Sequence, residues 1–454
     1  MTEKKPRPDN SDSVSPLIPA ARSIAWSAVI AGTLAVLLDG FDSAAMSFLI
    51  PTLAHQWGVA PQYFTVPLTL TNIGAVLGFL ACGRLSARVG QRTVLIGGTA
   101  WFGLATVLTA LVLPTQLRIL LDVTRFLTGL GLGAVLPAAI GLAVARSGEE
   151  RRHGVSAGVA LGIIAGGAVG GMVGGPLIRT VGATGVFWVA GLLPLVLAAV
   201  IAAVLPAVGA ERAAATGDAD AREEHRRQAE VGRMLERGLR VRTLLLWLFS
   251  FAVFIAVYAL MYWIPTLLLA FGFTPEQAPK GTAVFGLGGV VGGALMVPVV
   301  ARTGIRRALV VAPVIGGVGA VAAASAHVPA AVTLLLVAGA GVGVTACQVG
   351  QLVAAVAFYP AGTRTTAVAW TSAAGRIGSI VGPAVGGILL GLGLSGQDVL
   401  RLAVVPLAVA FVAAVGLAVV SVRDARAGRG HGDAGGAGDA GDAGRTAAAG
   451  AVTP

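Results

Sequence analysis

Apolar runs of about 20 residues, separated by short polar or basic stretches, recur along the whole 454-residue chain. Each is long enough to cross a hydrocarbon layer of ~30 Å as a helix. The pattern predicts twelve spans, at about 23–50, 64–82, 93–113, 117–145, 154–178, 185–207, 243–271, 281–301, 308–326, 331–358, 365–392 and 399–422. This is the pattern of a polytopic helical membrane protein. Pro265 follows Tyr262 and Trp263 directly and is expected to break or kink span seven.

The spans repeat. Ala87-Arg88-Val89-Gly90-Gln91-Arg92 after span two returns as Ala301-Arg302-Thr303-Gly304-Ile305-Arg306 after span eight, an offset of 214 residues. Gly129, Gly131 and Gly133 of span four return as Gly339, Gly341 and Gly343 of span ten, offset 210. Gly171 and Gly175-Pro176 of span five return as Gly378 and Gly382-Pro383 of span eleven, offset 207. The matches imply two duplicated six-helix halves, 23–207 and 243–422, flanked by tails at 1–22 and 423–454. The connection at 208–242 is rich in Glu, Arg, Asp and Ala, and reads as a surface linker. The Gly-, Ala- and Asp-rich C-terminal stretch has too little apolar payload to offset ordering entropy, so disorder is expected there. The polar, Pro-containing stretch from Met1 to Ala20 has no hydrophobic core of a signal peptide, so span one is expected to stay in the mature protein.

Composition sharpens this picture. Hydrophobic residues make up 56% of the chain and charged residues 12%, which excludes a water-soluble globule. The net charge of +11 would suggest nucleic acid in a soluble protein. Here 26 of the 32 Lys and Arg fall on the side holding both termini, four (Arg118, Arg179, Lys280 and Arg401) on the opposite side, and two inside spans. The positive-inside rule therefore places both termini in the cytoplasm, with the excess charge facing anionic lipid and no nucleic-acid partner. Cys82 and Cys347 sit inside spans and form neither a metal pattern nor a disulfide framework. No nucleophile, metal cluster or phosphate loop points to an enzyme, and no cofactor is expected. Gly129-Leu130-Gly131-Leu132-Gly133 follows no strand, which argues against dinucleotide binding.

Ionisable residues inside spans are few: Asp39 and Asp42 in span one, Asp122 and Arg125 in span four, and Arg376 in span eleven. An ion in lipid costs from a few to more than ten kcal/mol, so such residues face a partner or an aqueous cavity. Asp39 and Asp42 are three apart and share a helix face. Desolvation and mutual repulsion both oppose their ionised forms, so at least one is a candidate for proton uptake and release; the alternative is a carboxylate that braces a helix end or a neighbouring Arg. Arg376 lies roughly 16 Å into its span, near mid-membrane, with Ser372 one turn earlier and Gly375 and Gly378 leaving room for a ligand. An anion belongs beside it, either a carboxylate substrate or an acid of the other half. Arg125 is either a functional cation or the partner of Asp122 three residues before it. Further cavity candidates are Gln348, Gln351, Asn72, and Tyr258, Tyr262 and Trp263 in span seven. Tyr258 and Tyr262 share a face on which an aromatic ligand could stack, or they anchor at the interface.

Several segments now resemble the major facilitator superfamily and, within it, the aromatic acid:proton symporter family. Asp39-Gly40-Phe41-Asp42, followed by Ser43-Ala44-Ala45 and Pro51, is similar to that family's span-one signature. Arg125-Phe126-Leu127-Thr128-Gly129-Leu130-Gly131-Leu132-Gly133-Ala134 resembles its span-four motif, and Trp263-Ile264-Pro265-Thr266-Leu267-Leu268 the close of span seven. Gly375-Arg376-Ile377-Gly378-Ser379-Ile380-Val381-Gly382-Pro383 is similar to its span-eleven segment. The resemblance implies uptake of benzoates or hydroxybenzoates with protons; the two six-helix halves imply alternating access, and the protein is expected to function as a monomer. The resemblance also implies that Asp39 and Asp42 serve proton coupling or substrate handling, with Arg125 and Arg376 essential.

One segment departs from the superfamily pattern. Gly83-Arg84-Leu85-Ser86-Ala87-Arg88-Val89-Gly90-Gln91-Arg92 fits the gating loop after span two, with Gly83, Arg84, Arg88, Gly90 and Arg92 in place, but Ala87 stands where an Asp latch is usual. A second reading is a proton-driven drug exporter of the same fold: Gly162, Gly171, Gly175 and Pro176 fit the first part of the antiporter glycine pattern, although Arg179-Thr180 stand where its last glycines would be. A third is a membrane sensor that does not transport.

Overall fold

Every predicted span is a helix in the computed structural model, which describes residues 26–147, 151–205, 234–236, 239–325, 328–359 and 364–423. The expected N-terminal tail, the C-terminal tail from residue 424 and most of the 208–242 linker lie outside the described residues. The first four helices are α1 (Trp26–Trp57), α2 (Thr65–Val89), α3 (Gln91–Val112) and α4 (Arg118–Ala145). The next helical run, Arg152–Val204, has 53 residues and would be about 80 Å long if straight, far more than one crossing needs. It turns at Gly182, whose φ of 70° and ψ of 177° suit glycine alone, so it forms two helices, α5 before the bend and α6 after it.

The second half comprises α7 (Arg240–Leu268), α8 (Pro279–Thr303), α9 (Ile305–Ser325), α10 (Ala330–Ala357), α11 (Arg364–Gly391) and α12 (Gly396–Arg423). Helix α7 runs on through Pro265 to Leu268 instead of breaking there. Large apolar side chains such as Leu80, Val318, Leu335 and Val412 point outward, as a lipid-facing surface requires. Cys82 and Cys347 are buried free thiols.

The duplication is visible in the packing, and it corrects two of the three sequence registers. Gly90 and Gly304 end α2 and α8 with matching backbone angles, φ 84° and ψ 152° against φ 81° and ψ 150°, which confirms the offset of 214. Gly129 packs on the Thr71 backbone and Gly131 on Phe102, whereas in the second half the corresponding neighbours, Phe285 and Gly316, are met by Gly341 and Gly343. Gly339 meets nothing within 4 Å, so the true offset for span four is 212, not 210. In span five, Gly166 against Leu37 corresponds to Gly378 against Phe251, again an offset of 212. Glycines spaced two to four residues apart let a motif match slip, because each shift still aligns small residues with small residues. The close backbone approach that these glycines allow is what holds helices together where lipid supplies no hydrophobic drive.

The halves meet along α1–α7, α2–α11 and α5–α8. Toward the end remote from the termini they are tightly joined. There Ser47 Oγ donates to the carbonyls of Met261 (2.8 Å) and Tyr262 (3.0 Å), Gly175 lies on the Glu276 backbone, and Gly387 on Thr65. The α5 stripe that faces α8 passes through Gly171, Ala168 and Ile164, and reaches Leu161 opposite Gly293 at mid-depth. Continued toward the terminal end it arrives at Gly154, where an added Cβ would meet nothing within 4 Å.

Candidate functional site

Four of the intramembrane charges sort into two units, one inside the first half and one at the seam. The first is sealed. Asp42 of α1 is buried, and Arg125 of α4 has no exposed surface. Arg125 Nη2 donates to Asp42 Oδ2 at 2.9 Å, and Thr106 Oγ1 of α3 donates to Asp42 Oδ1 at 2.9 Å. The guanidinium also lies 5.7 Å from the Phe187 ring of α6. One carboxylate thus gathers three helices of the first half, and Arg125 brings in a fourth. Such a pair survives desolvation only with good geometry, and breaking one side of it is costly.

This arrangement corrects the expected partner of Arg125. Asp122 turns instead to Arg118 (3.6 Å, one helical turn away), and Arg118 in turn stands over the Tyr63 ring at 4.9 Å. The pairing of Asp42 with Arg125 joins spans one and four, which a reading along a single helix does not reveal. Thr106 was not anticipated. The only hint was a hydroxyl at an interior position of an apolar span.

The second unit lines the seam between the halves. Asp39 is buried on α1, and among the described residues it has no hydrogen bond and no ion pair within 4 Å. The charges of both Arg376 and Asp42 act on it. Arg376 stands 12 residues into α11, roughly 18 Å from the helix start, and is half-buried. Among the described residues, no carboxylate lies within 4 Å of its guanidinium. The guanidinium sits 5.1 Å from the ring centroid of Phe79, on α2 of the opposite half. Sequence reading did not single out Phe79, since a Phe in an apolar span looks like any lipid-facing or packing residue.

The tyrosines complete this wall. Phe254, Tyr258 and Tyr262 form a ladder on one face of α7, with ring centroids 5.8 and 6.1 Å apart. Tyr258 feels the charges of Arg376 and Asp39, while the Tyr262 hydroxyl lies beside the side chains of Asn72 and Ser43. Tyr262 and Tyr258 thus face the protein interior and not an interfacial belt. Trp263 is wholly buried and fastens α7 to α11 through Nε1 to the Pro383 carbonyl at 2.9 Å.

Other expected residues take different places. The Ser372 hydroxyl donates to the Val368 carbonyl of its own helix (2.8 Å). Gln351 is buried and accepts from Ser250, which also bonds the Thr371 carbonyl, so it ties α10 to α7 and α11. Gln348 is half-buried on α10. The expected loop after span two is helical up to Val89: Gly83, Arg84 and Arg88 lie in the last two turns of α2, exposed at the terminal end, and Gly90 alone separates α2 from α3. Arg92 instead donates from Nε to Leu205 O (2.6 Å) and from Nη2 to Ala202 O (2.8 Å). It therefore satisfies the carbonyl end of α6 within its own half. No described group of His, Cys, Asp and Glu could hold a metal.

A buried bundle with a paired brace in one half and an incompletely balanced Arg–Asp couple at the seam is the anatomy of a secondary transporter. The sequence matches the Major Facilitator Superfamily over residues 32–383, and the chain belongs to that family. It is a multi-pass membrane protein. It is 34% identical over 425 residues to the 4-hydroxybenzoate transporter PcaK of Pseudomonas aeruginosa, covering 88% of this chain and 94% of that one. It is 30% identical over 391 residues to the gallate transporter of Pseudomonas putida, covering 81% and 86%. The fold resembles that of a solved D-xylose–proton symporter with a TM-score of 0.70 at 16% identity, covering 87% of this chain and 97% of the other.

Proposed function

We propose that this chain carries aromatic carboxylates of the benzoate and hydroxybenzoate class across the membrane together with protons. The observation that carries the reading is Arg376: a guanidinium at mid-depth, with no carboxylate within 4 Å among the described residues, walled by aromatic rings of α2 and α7. A substrate carboxylate fits the planar donor fork, and its ring fits the aromatic wall. The relatives named for 4-hydroxybenzoate and gallate support the same substrate class.

Coupling follows from competition for one cation. When Asp39 is ionised, its charge balances Arg376 across the seam and leaves little attraction for a second anion. When Asp39 takes a proton, Arg376 is free to hold a substrate carboxylate. One proton and one carboxylate then cross together, and the central charge stays balanced in both states. Asp42, held by Arg125 and Thr106, is already committed, so Asp39 is the proton-exchanging member of the pair.

The distribution of Lys and Arg supports a cytoplasmic terminal end, and with protons more concentrated outside the driven direction is inward. Of the glycines that suggested an exporter, Gly171 packs on Ala283 of α8, Gly175 on the Glu276 backbone just before α8, and Gly162 on Thr33 of α1, so close packing accounts for them and they give that reading no separate support. Purified protein in proteoliposomes, with an imposed acidic exterior, is expected to accumulate labelled 4-hydroxybenzoate or benzoate and to leave cyclic sugars outside. Failure to accumulate any aromatic acid, or accumulation only of cationic drugs under the reverse gradient, would overturn the proposal.

A further inference from the structure

We propose that Phe79 is a positioning residue for Arg376, fixing the guanidinium so that a carboxylate meets its planar donors. The inference rests on the reading of Arg376 as the carboxylate site. A long, flexible arginine has rotamer freedom that must be removed before it can serve as a preformed fork. Arg125 is fixed by Asp42. Arg376 has no such bond among the described residues, and the contact that the structure gives it is the Phe79 ring, 5.1 Å from the guanidinium carbon.

The mount is rigid. At Phe79 the α2 backbone packs against Gly133 of α4, where a Cβ would come within 2.8 Å of the Phe79 nitrogen. The ring therefore reaches across the seam from a helix clamped to its own half. The ring lies beside the guanidinium, 5.1 Å from its central carbon, and so limits where that group can turn. The arrangement is one-sided: at the offset of 214 the counterpart of Phe79 is Gly293, which has no ring to offer. Because Phe79 and Arg376 belong to different halves, a carboxylate bound at this fork is held at a point both halves share.

The attraction between a cation and a ring depends on the electron density of the ring, whereas packing depends on its shape. The test therefore replaces Phe79 with mono-, di- and trifluorophenylalanine in the full chain and measures 4-hydroxybenzoate binding in detergent. Binding is expected to weaken stepwise with fluorination, by about three- to thirtyfold across the series, with unchanged thermal stability. Phe79→Trp is expected to retain affinity and Phe79→Leu to lose it. A flat fluorination series, with normal binding by the unsubstituted protein, would overturn the positioning role alone. If the unsubstituted protein binds no aromatic carboxylate, the function proposed above fails and takes this role with it.

Discussion

Arg376→Ala is expected to lower apparent affinity for benzoates at least about thirtyfold while leaving the protein folded. Truncating one partner of a buried charged hydrogen-bonded pair costs about 2–5 kcal/mol, and each 1.4 kcal/mol is a factor of ten. The fold should tolerate the change because Arg376 makes no ion pair within 4 Å among the described residues, and Asp39 can shed its charge by binding a proton. Arg376→Lys keeps the charge but loses the planar fork and the ring contact suited to it, so an intermediate loss of about tenfold is expected. Substrate counterflow in proteoliposomes, which needs no gradient, reads both effects. Equal affinity in the wild type and in Arg376→Ala would remove Arg376 from the binding site.

Arg125→Ala is expected to act on stability first. It leaves the Asp42 carboxylate buried beside Thr106 with no cation, and breaking a buried pair from one side costs about 3–5 kcal/mol. Asp42→Ala strands Arg125 just as badly, since the guanidinium has no exposed surface and its Nε and Nη1 already lack partners. The double change Asp42→Ala/Arg125→Ala removes both charges and is expected to be clearly more stable than the sum of the single changes predicts. Thermal unfolding of the four proteins in one detergent gives the coupling directly. Additive losses would mean that the pair does not brace the first half.

Much of this could be read along the chain because the bilayer imposes a strong rule. A helix that crosses lipid must be apolar throughout, so spans stand out and each ion inside them is conspicuous. Asp39, Asp42, Arg125 and Arg376 were legible for that reason. Their partners were not, because pairing depends on which helix faces which. Arg125 finds Asp42 on α1 and not its sequence neighbour Asp122, and Arg92 caps α6 instead of guarding the seam. Phe79 and Thr106 carry no cost in lipid large enough to mark them, so only their placement reveals them. The duplication itself was legible, but its register in spans four and five was not, because closely spaced glycines make slipped alignments look alike. The corrected register also shows where the halves part: Asp39, Asp42 and Arg125 have Val253, Ala256 and Val337 as counterparts, so the chemistry breaks a symmetry that packing keeps.

The competition between Asp39 and a substrate carboxylate for Arg376 is tested most directly by Asp39→Asn in proteoliposomes. The variant removes the proton site and leaves the cation free. It is expected to exchange labelled for unlabelled 4-hydroxybenzoate across the membrane while failing to concentrate it under an inward pH gradient. Gradient-driven accumulation by Asp39→Asn at the wild-type level would contradict the account.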